Sequence, residues 1–163
     1  MSDRIEYRGF TAVYDKKVDE LISLVNICPI FSLNKTIRNI PVEVKALWDT
    51  GAVVTCIKSN LWKRLQLYSL DAASNVVLTG VGGEVVANYS IINLFLTPNL
   101  EIEYCPVYMI DFPGDAEILI GMDIINLGDF AISNTDSKTS FSFVLPPFPD
   151  RIDFLDKIKK FNS

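Results

Sequence analysis

Apolar and polar residues alternate in short runs along most of the chain, the period expected of strands with one buried face. The clearest case is Val42-Glu43-Val44-Lys45-Ala46, which continues through Leu47 and Trp48 straight into Asp49-Thr50-Gly51-Ala52. A second apolar run, Val53 to Ile57, follows at once. Enrichment in β-branched and aromatic residues predicts further strands at Phe10 to Tyr14, Leu21 to Cys28, Asn75 to Leu78, Glu84 to Leu96 and Leu100 to Ile110. Three more are predicted at Glu117 to Ile120, Phe130 to Ile132 and Thr139 to Leu145. Turn chemistry separates them at Ser32-Leu33-Asn34-Lys35, Gly80-Val81-Gly82-Gly83, Thr97-Pro98-Asn99 and Phe112-Pro113-Gly114-Asp115.

Helical spacing is confined to three places. Ser59 is placed to cap a short helix through Leu61, Trp62 and Leu65, and Met122 to Leu127 forms one or two turns stopped by Gly128. Pro146-Pro147-Phe148-Pro149 then ends the strand pattern. Beyond Asp150, Ile152, Leu155, Ile158 and Phe161 recur every three residues and give a C-terminal helix one apolar face. The expected organisation is an all-β, barrel-like domain over residues 1–145, with short helices, followed by a Pro-rich segment and helix over 146–163. No internal repeat or low-complexity segment interrupts it.

Length and composition narrow the classes of function. At 163 residues, 49% hydrophobic, the chain is long enough for one well-formed core and too short for two full lobes. A net charge of −5 argues against nucleic acid as the main partner, since neutralising phosphates requires clustered cations. The basic cluster Lys157, Lys159 and Lys160 reads as the cationic end of the last helix. No apolar segment follows the charged first residues, and none reaches the roughly 20 residues needed to span a bilayer. Neither secretion nor a membrane partner is expected. Cys28, Cys56 and Cys105 are widely spaced within apolar runs, as buried thiols of a cytoplasmic protein would be.

The chain contains no histidine. Ser-His-Asp and Cys-His machinery and H-E-x-x-H zinc sites are therefore excluded, and no G-x-x-x-x-G-K-[ST] loop is present. With no metal or cofactor signature, carboxylates are the reagents left. Asp49-Thr50-Gly51-Ala52 taken alone reads equally well as a turn. Its flanks, Leu47, Trp48, Ala52 and Val53, imply instead a part-buried carboxylate, which is costly unless it has a use. Two such carboxylates facing each other would share one proton, giving an acid and a base at once. Gly51 would let the backbone pass close and its amide donate to the carboxylate, while Thr50 suits a hydroxyl contact between two facing loops. The glycines at 80–83 precede Glu84-Val85-Val86, a strand pattern, so a hairpin tip fits better than a phosphate loop. Ile118-Leu119-Ile120-Gly121 by itself is a buried strand ending at a glycine. Asp111, Asp115, Asp123, Asp129 and Asp136 read as solvated surface, and Thr55 as a structural hydroxyl.

Asp49 to Ala52, Gly80-Val81-Gly82-Gly83 and Leu119-Ile120-Gly121, in this order, resemble the retropepsins, the retroviral-type aspartic proteases. The likeness runs from about Ile22 to Ile132. It implies a closed-barrel protomer, a homodimer and cleavage of an extended peptide. Asp49 would be the catalytic residue, supported by Thr50, Gly51 and Ala52. Gly80, Val81, Gly82 and Gly83 would form a flap over the substrate, and Leu119, Ile120 and Gly121 a subsite wall. Only one Asp-Thr-Gly occurs, so the second acid must come from another copy. The chain departs from the pattern at Val53, where retroviral members carry an acid, and at Met122, where they carry an arginine. Both partners of that ion pair are apolar here, which avoids stranding a buried charge. The alternatives are a dimerisation or peptide-binding module of the same fold with little turnover, and a β-barrel unrelated to proteolysis.

Overall fold

The computed structural model describes residues 5–30, 32–33, 40–70, 76–80, 83–150 and 152–161. Among them are eleven strands and three short helices. The strands are β1 (Arg8–Val13), β2 (Leu21–Pro29), β3 (Val42–Trp48), β4 (Cys56–Ile57), β5 (Val76–Gly80), β6 (Gly83–Ala87), β7 (Tyr89–Thr97), β8 (Leu100–Met109), β9 (Ile118–Ile120), β10 (Asp129–Thr135) and β11 (Lys138–Leu145). The helices are α1 (Ser59–Arg64), α2 (Met122–Ile125) and α3 (Phe154–Phe161).

Six strands close a barrel in the order β2-β3-β9-β4-β8-β7, sealed where Asn26 to Pro29 pair with Phe95 to Ile92. The alternation read from the sequence is the reason. Along β7 every second residue is buried, and β3 likewise sends Val44, Ala46 and Trp48 inward. Two parallel contacts, β3 with β9 and β4 with β8, bring the end of β9 beside the end of β3. That places Gly121 next to the segment following Trp48.

Three expectations need correction. The run Glu84 to Leu96 is two strands, broken at Asn88, whose carbonyl accepts the Met109 amide while β6 departs to pair with β5. Val53 and Val54 are not strand; only Cys56–Ile57 pairs, because the preceding residues are drawn into a loop against α2. Ser59 is the first residue of α1, with Lys58 at the cap position; the Ser59 amide and hydroxyl both donate to Asp111. The turn residues Asn34 and Lys35, Asn75, and the hairpin-tip residues Val81 and Gly82 lie outside the described residues.

The remaining strands form a second sheet in the order β1-β11-β10, paired from Arg8↔Leu145 to Val13↔Ser140 and from Asp129↔Val144 to Thr135↔Lys138. It packs on the barrel through Trp48, whose ring meets Phe10, Phe130, Phe141 and Phe143 at centroid distances of 5.2 to 5.7 Å. Aromatic burial of this kind contributes strongly to stability, and here it anchors the residue immediately before Asp49. After β11 the tail folds back: Phe148 stacks on Tyr7, and its amide donates to Asp129. Asp129 is thus a partner for the tail, whereas Asp115 and Asp136 are exposed as expected. Phe154, Leu155, Ile158 and Phe161 of α3 remain exposed.

Candidate active site

Asp49 begins the loop that leaves β3, half-buried, with its amide donating to the Ile120 carbonyl at 3.0 Å. The Gly51 amide folds back and donates to Asp49 Oδ1 at 2.8 Å, and the Ala52 amide donates to the Asp49 carbonyl. An ionised carboxylate holding such a donor has one oxygen oriented and the other left for a reacting group. A Cβ on Gly51 would lie 3.1 Å from Asp49 Oδ1, so the glycine permits this close return. Thr50 and Gly51 are exposed at the turn, and Ala52 is half-buried.

The second half of the loop is stapled to the start of α2. Met122 and Asp123 donate their amides to the carbonyls of Ala52 and Val53. The Asp123 carboxylate accepts the Thr55 amide at 2.9 Å on one oxygen and the Thr55 hydroxyl at 2.8 Å on the other. The Thr55 hydroxyl in turn accepts the Gly121 amide at 3.2 Å, and Asp123 Oδ1 also accepts the Ile124 amide. Thr55 is completely buried, so these bonds satisfy groups that water cannot reach. Asp123 is therefore a buried-network acceptor rather than the solvated surface acid expected from the sequence. A signal existed: one threonine inside the apolar run Val53 to Ile57 needs a polar partner, and an acid in the first turn of a helix is a natural one. Gly121 completes the staple, since a Cβ there would lie 2.5 Å from the Val54 carbonyl oxygen.

Leu119, Ile120 and Gly121 lie beneath this loop. Ile120 is fully buried and Leu119 nearly so, and their visible role is to carry the carbonyl and the close approach that fix Asp49. Gly80 and Gly83 are paired partners at the end of the β5–β6 hairpin, and Gly83 has φ +104°, a backbone conformation that favours glycine. Beside Asp49 and Thr50 lies a pocket of about 380 Å³ whose lining includes Asp19, Glu20 and Ile132. Val53 projects outward from the loop, 76% exposed. Burial, followed by the negative charges of Asp123 and Asp49, pushes the Cys56 thiol up to about 11, so it stays protonated and is no competing nucleophile at neutral pH. Among the described residues no cluster could hold a metal ion.

Residues 36–126, more than half of the chain, match the family described as "gag-polyprotein putative aspartyl protease". The chain belongs to this aspartyl protease family. The matched segment of this family member contains the Asp49 loop, the β5–β6 hairpin and the Asp123 staple, and excludes β1, β2, β10 and β11. Among solved structures, a retropepsin-like aspartic protease from Rickettsia conorii is 12% identical over 85% of this chain and 95% of its own, with a TM-score of 0.52. The retropepsin-like fold is thereby shown. EIAV protease, complexed with the inhibitor HBY-793, is 19% identical over 69% of this chain and 90% of its own, at a TM-score of 0.44. No curated protein sequence matches.

Proposed function

We propose that the protein is an aspartic endopeptidase, active as a homodimer in which each copy supplies one Asp49. The observation that carries the reading is a half-buried carboxylate, oriented by the Gly51 amide and opening on a pocket, in a chain of this family. A single chain has only one such acid, and a pair of like charges in contact retains one proton between them. The ionised Asp49 takes a proton from water as its oxygen attacks the peptide carbonyl carbon. The protonated Asp49 of the second copy donates to the carbonyl oxygen. The tetrahedral centre then collapses as a proton passes to the amide nitrogen and the C–N bond breaks.

Substrate would lie as an added strand between the two copies, under the flap hairpins that carry Gly80, Val81, Gly82 and Gly83. Exposed Val53, Val77 and Val86 would offer apolar contacts in the cleft. Leu119, Ile120 and Gly121 act from below by holding the loop. Residues 1–145 would carry the activity, with 146–163 appended. Three free, buried cysteines are consistent with a reducing, cytoplasmic setting, and no helix among the described residues is long and apolar enough to cross a membrane.

The test is cleavage of unfolded fluorogenic peptides across pH 3 to 7 by wild type and Asp49→Asn. Turnover by wild type that falls by about 10³-fold in the variant is the expected result. Equal rates in both would end the reading. Peptide binding without turnover would move the protein to the binding-module class.

A further inference from the structure

We propose that α3 is a membrane-surface helix, whose apolar face settles into an anionic lipid leaflet while its lysines meet the headgroups. The proposal does not depend on the protease reading.

The helix turns its apolar residues to solvent. Phe154, Leu155, Ile158 and Phe161 fall on one face by helical spacing and are 52% to 86% exposed. The helix has a defined start, since Asp153 Oδ1 accepts the Leu155 amide at 2.9 Å. Phe148 and Ile152, on the non-helical segment leading into it, are about half exposed as well and line one groove. An apolar surface that continues over several residues marks contact with a protein or a membrane.

Charge selects between the possible covers. α3 carries three of the chain's 15 basic residues, Lys157, Lys159 and Lys160, and one of its 20 acids, Asp156. It is a cationic segment on a chain whose net charge is −5. A helix both basic and amphipathic suits an anionic lipid surface or an acidic protein groove. A second copy is a poor cover, because two such helices face to face would set lysines against lysines. A protein groove must match the shape of what it binds. Here the exposed apolar residues run from an irregular segment onto about two helical turns, which a fluid lipid surface accepts without a matching shape.

No helix among the described residues is long and apolar enough to cross a membrane, which is the ground for expecting no membrane partner from the sequence. A helix lying in the surface plane needs no span.

The placement of α3 also suits this role. Phe148 stacks on Tyr7 with centroids 5.0 Å apart and its amide donates to Asp129, so the base of the tail is fixed to the β1-β11-β10 sheet. Thr139, near the start of β11, lines the pocket beside Asp49, whereas the tail leaves after Leu145, about 20 Å further along the strand. No described residue of α3 lines that pocket. Docking through α3 would hold the chain at a lipid surface with the Asp49 pocket uncovered.

Flotation of the full chain with vesicles is the test. Binding to phosphatidylcholine vesicles that contain phosphatidylserine, weakening as salt rises, is expected, with little binding to phosphatidylcholine alone. Leu155→Asp combined with Ile158→Asp should lower the affinity by roughly tenfold or more. The combined Lys157→Gln, Lys159→Gln and Lys160→Gln variant should do the same. Lys16→Gln with Lys17→Gln, an exposed pair on the loop before β2, should leave binding unchanged. Leu155 and Ile158 are exposed, so their variant should keep the wild-type Tm, which guards against misreading a folding defect. Equal binding to phosphatidylcholine alone, or full binding by the Leu155→Asp and Ile158→Asp variant, would overturn the proposal. No flotation of wild type at low salt would overturn it in favour of an acidic protein groove. Self-association that the same variant abolishes would overturn it in favour of a second copy.

Discussion

The Asp49 loop and the β5–β6 hairpin both depend on glycine, yet they are built for opposite ends. Residues 49–55 bond to β9, to α2 and to β8, and every buried polar group of Thr55 has a partner. Among the described residues the hairpin strands pair with each other alone, as a two-stranded sheet whose base sits at Asn88 and Tyr89. Gly121 is required because backbone must pass against backbone. Gly83 has open space around it and is required for its positive φ. Under the proposed function, such a contrast would suit a site that holds its acids still beneath a separate cover. The two segments differ in how many neighbours each can bond to, and composition does not separate them.

That contrast can be broken most severely at Asp123. Asp123→Ala leaves the buried Thr55 amide and hydroxyl without their acceptor, at a cost of about 3 kcal/mol, and should lower kcat with KM little changed. Asp123→Asn, which keeps one acceptor, should recover part of the loss; urea melts and peptide kinetics on the same samples decide it. Gly121→Ala drives a Cβ into the Val54 carbonyl and should destabilise by about 2 kcal/mol. Gly83→Ala meets no atom and is strained only by its backbone angle, so about 1 kcal/mol is expected, with KM rising before stability suffers. If Gly83→Ala proves as damaging as Gly121→Ala, the hairpin is a packed element and the contrast fails.

The smallest effect concerns Asp111, which joins the loop after β8 to the start of α1. Hydrogen bonds from the Ser59 amide, then from its hydroxyl, hold this exposed carboxyl below its ordinary value. A carboxyl lowered on folding stabilises the fold fully above the ordinary carboxylate range near 4. It loses that contribution as pH falls through its own depressed value. Wild type should therefore exceed Asp111→Asn in Tm at pH 6, with the gap narrowing below about pH 4. A constant gap across that range would show that the Ser59 bonds do not depend on the charge.

Much of this was legible before folding. Alternation predicted the barrel strands, because a residue facing the interior recurs at every second position wherever one sheet face is buried. Asp49 stood out because a carboxylate among Leu47, Trp48 and Val53 needs a reason to be there. The Asp123–Thr55 bond was only half legible: a threonine in an apolar run needed a polar partner, but 68 residues separate it from Asp123, and an acid opening a helix is more often solvated. Nor was the break at Asn88, where a continuous β pattern hides the point at which one strand leaves the barrel.

Local chemistry in the chain thus gave most of the strands, left no histidine for catalysis and singled out Asp49 among the acids. Three-dimensional closure settled which neighbours that acid has. Only when β9 lies parallel to β3 does Gly121 reach Val54 and Asp123 reach Thr55. Only when β10 pairs with β11 does Phe130 come to stack on Trp48, the neighbour of Asp49. Periodicity reports which face of a strand is buried; it carries no information about which distant strand will bury it, since that depends on contacts whose energy exists only after the loops have closed.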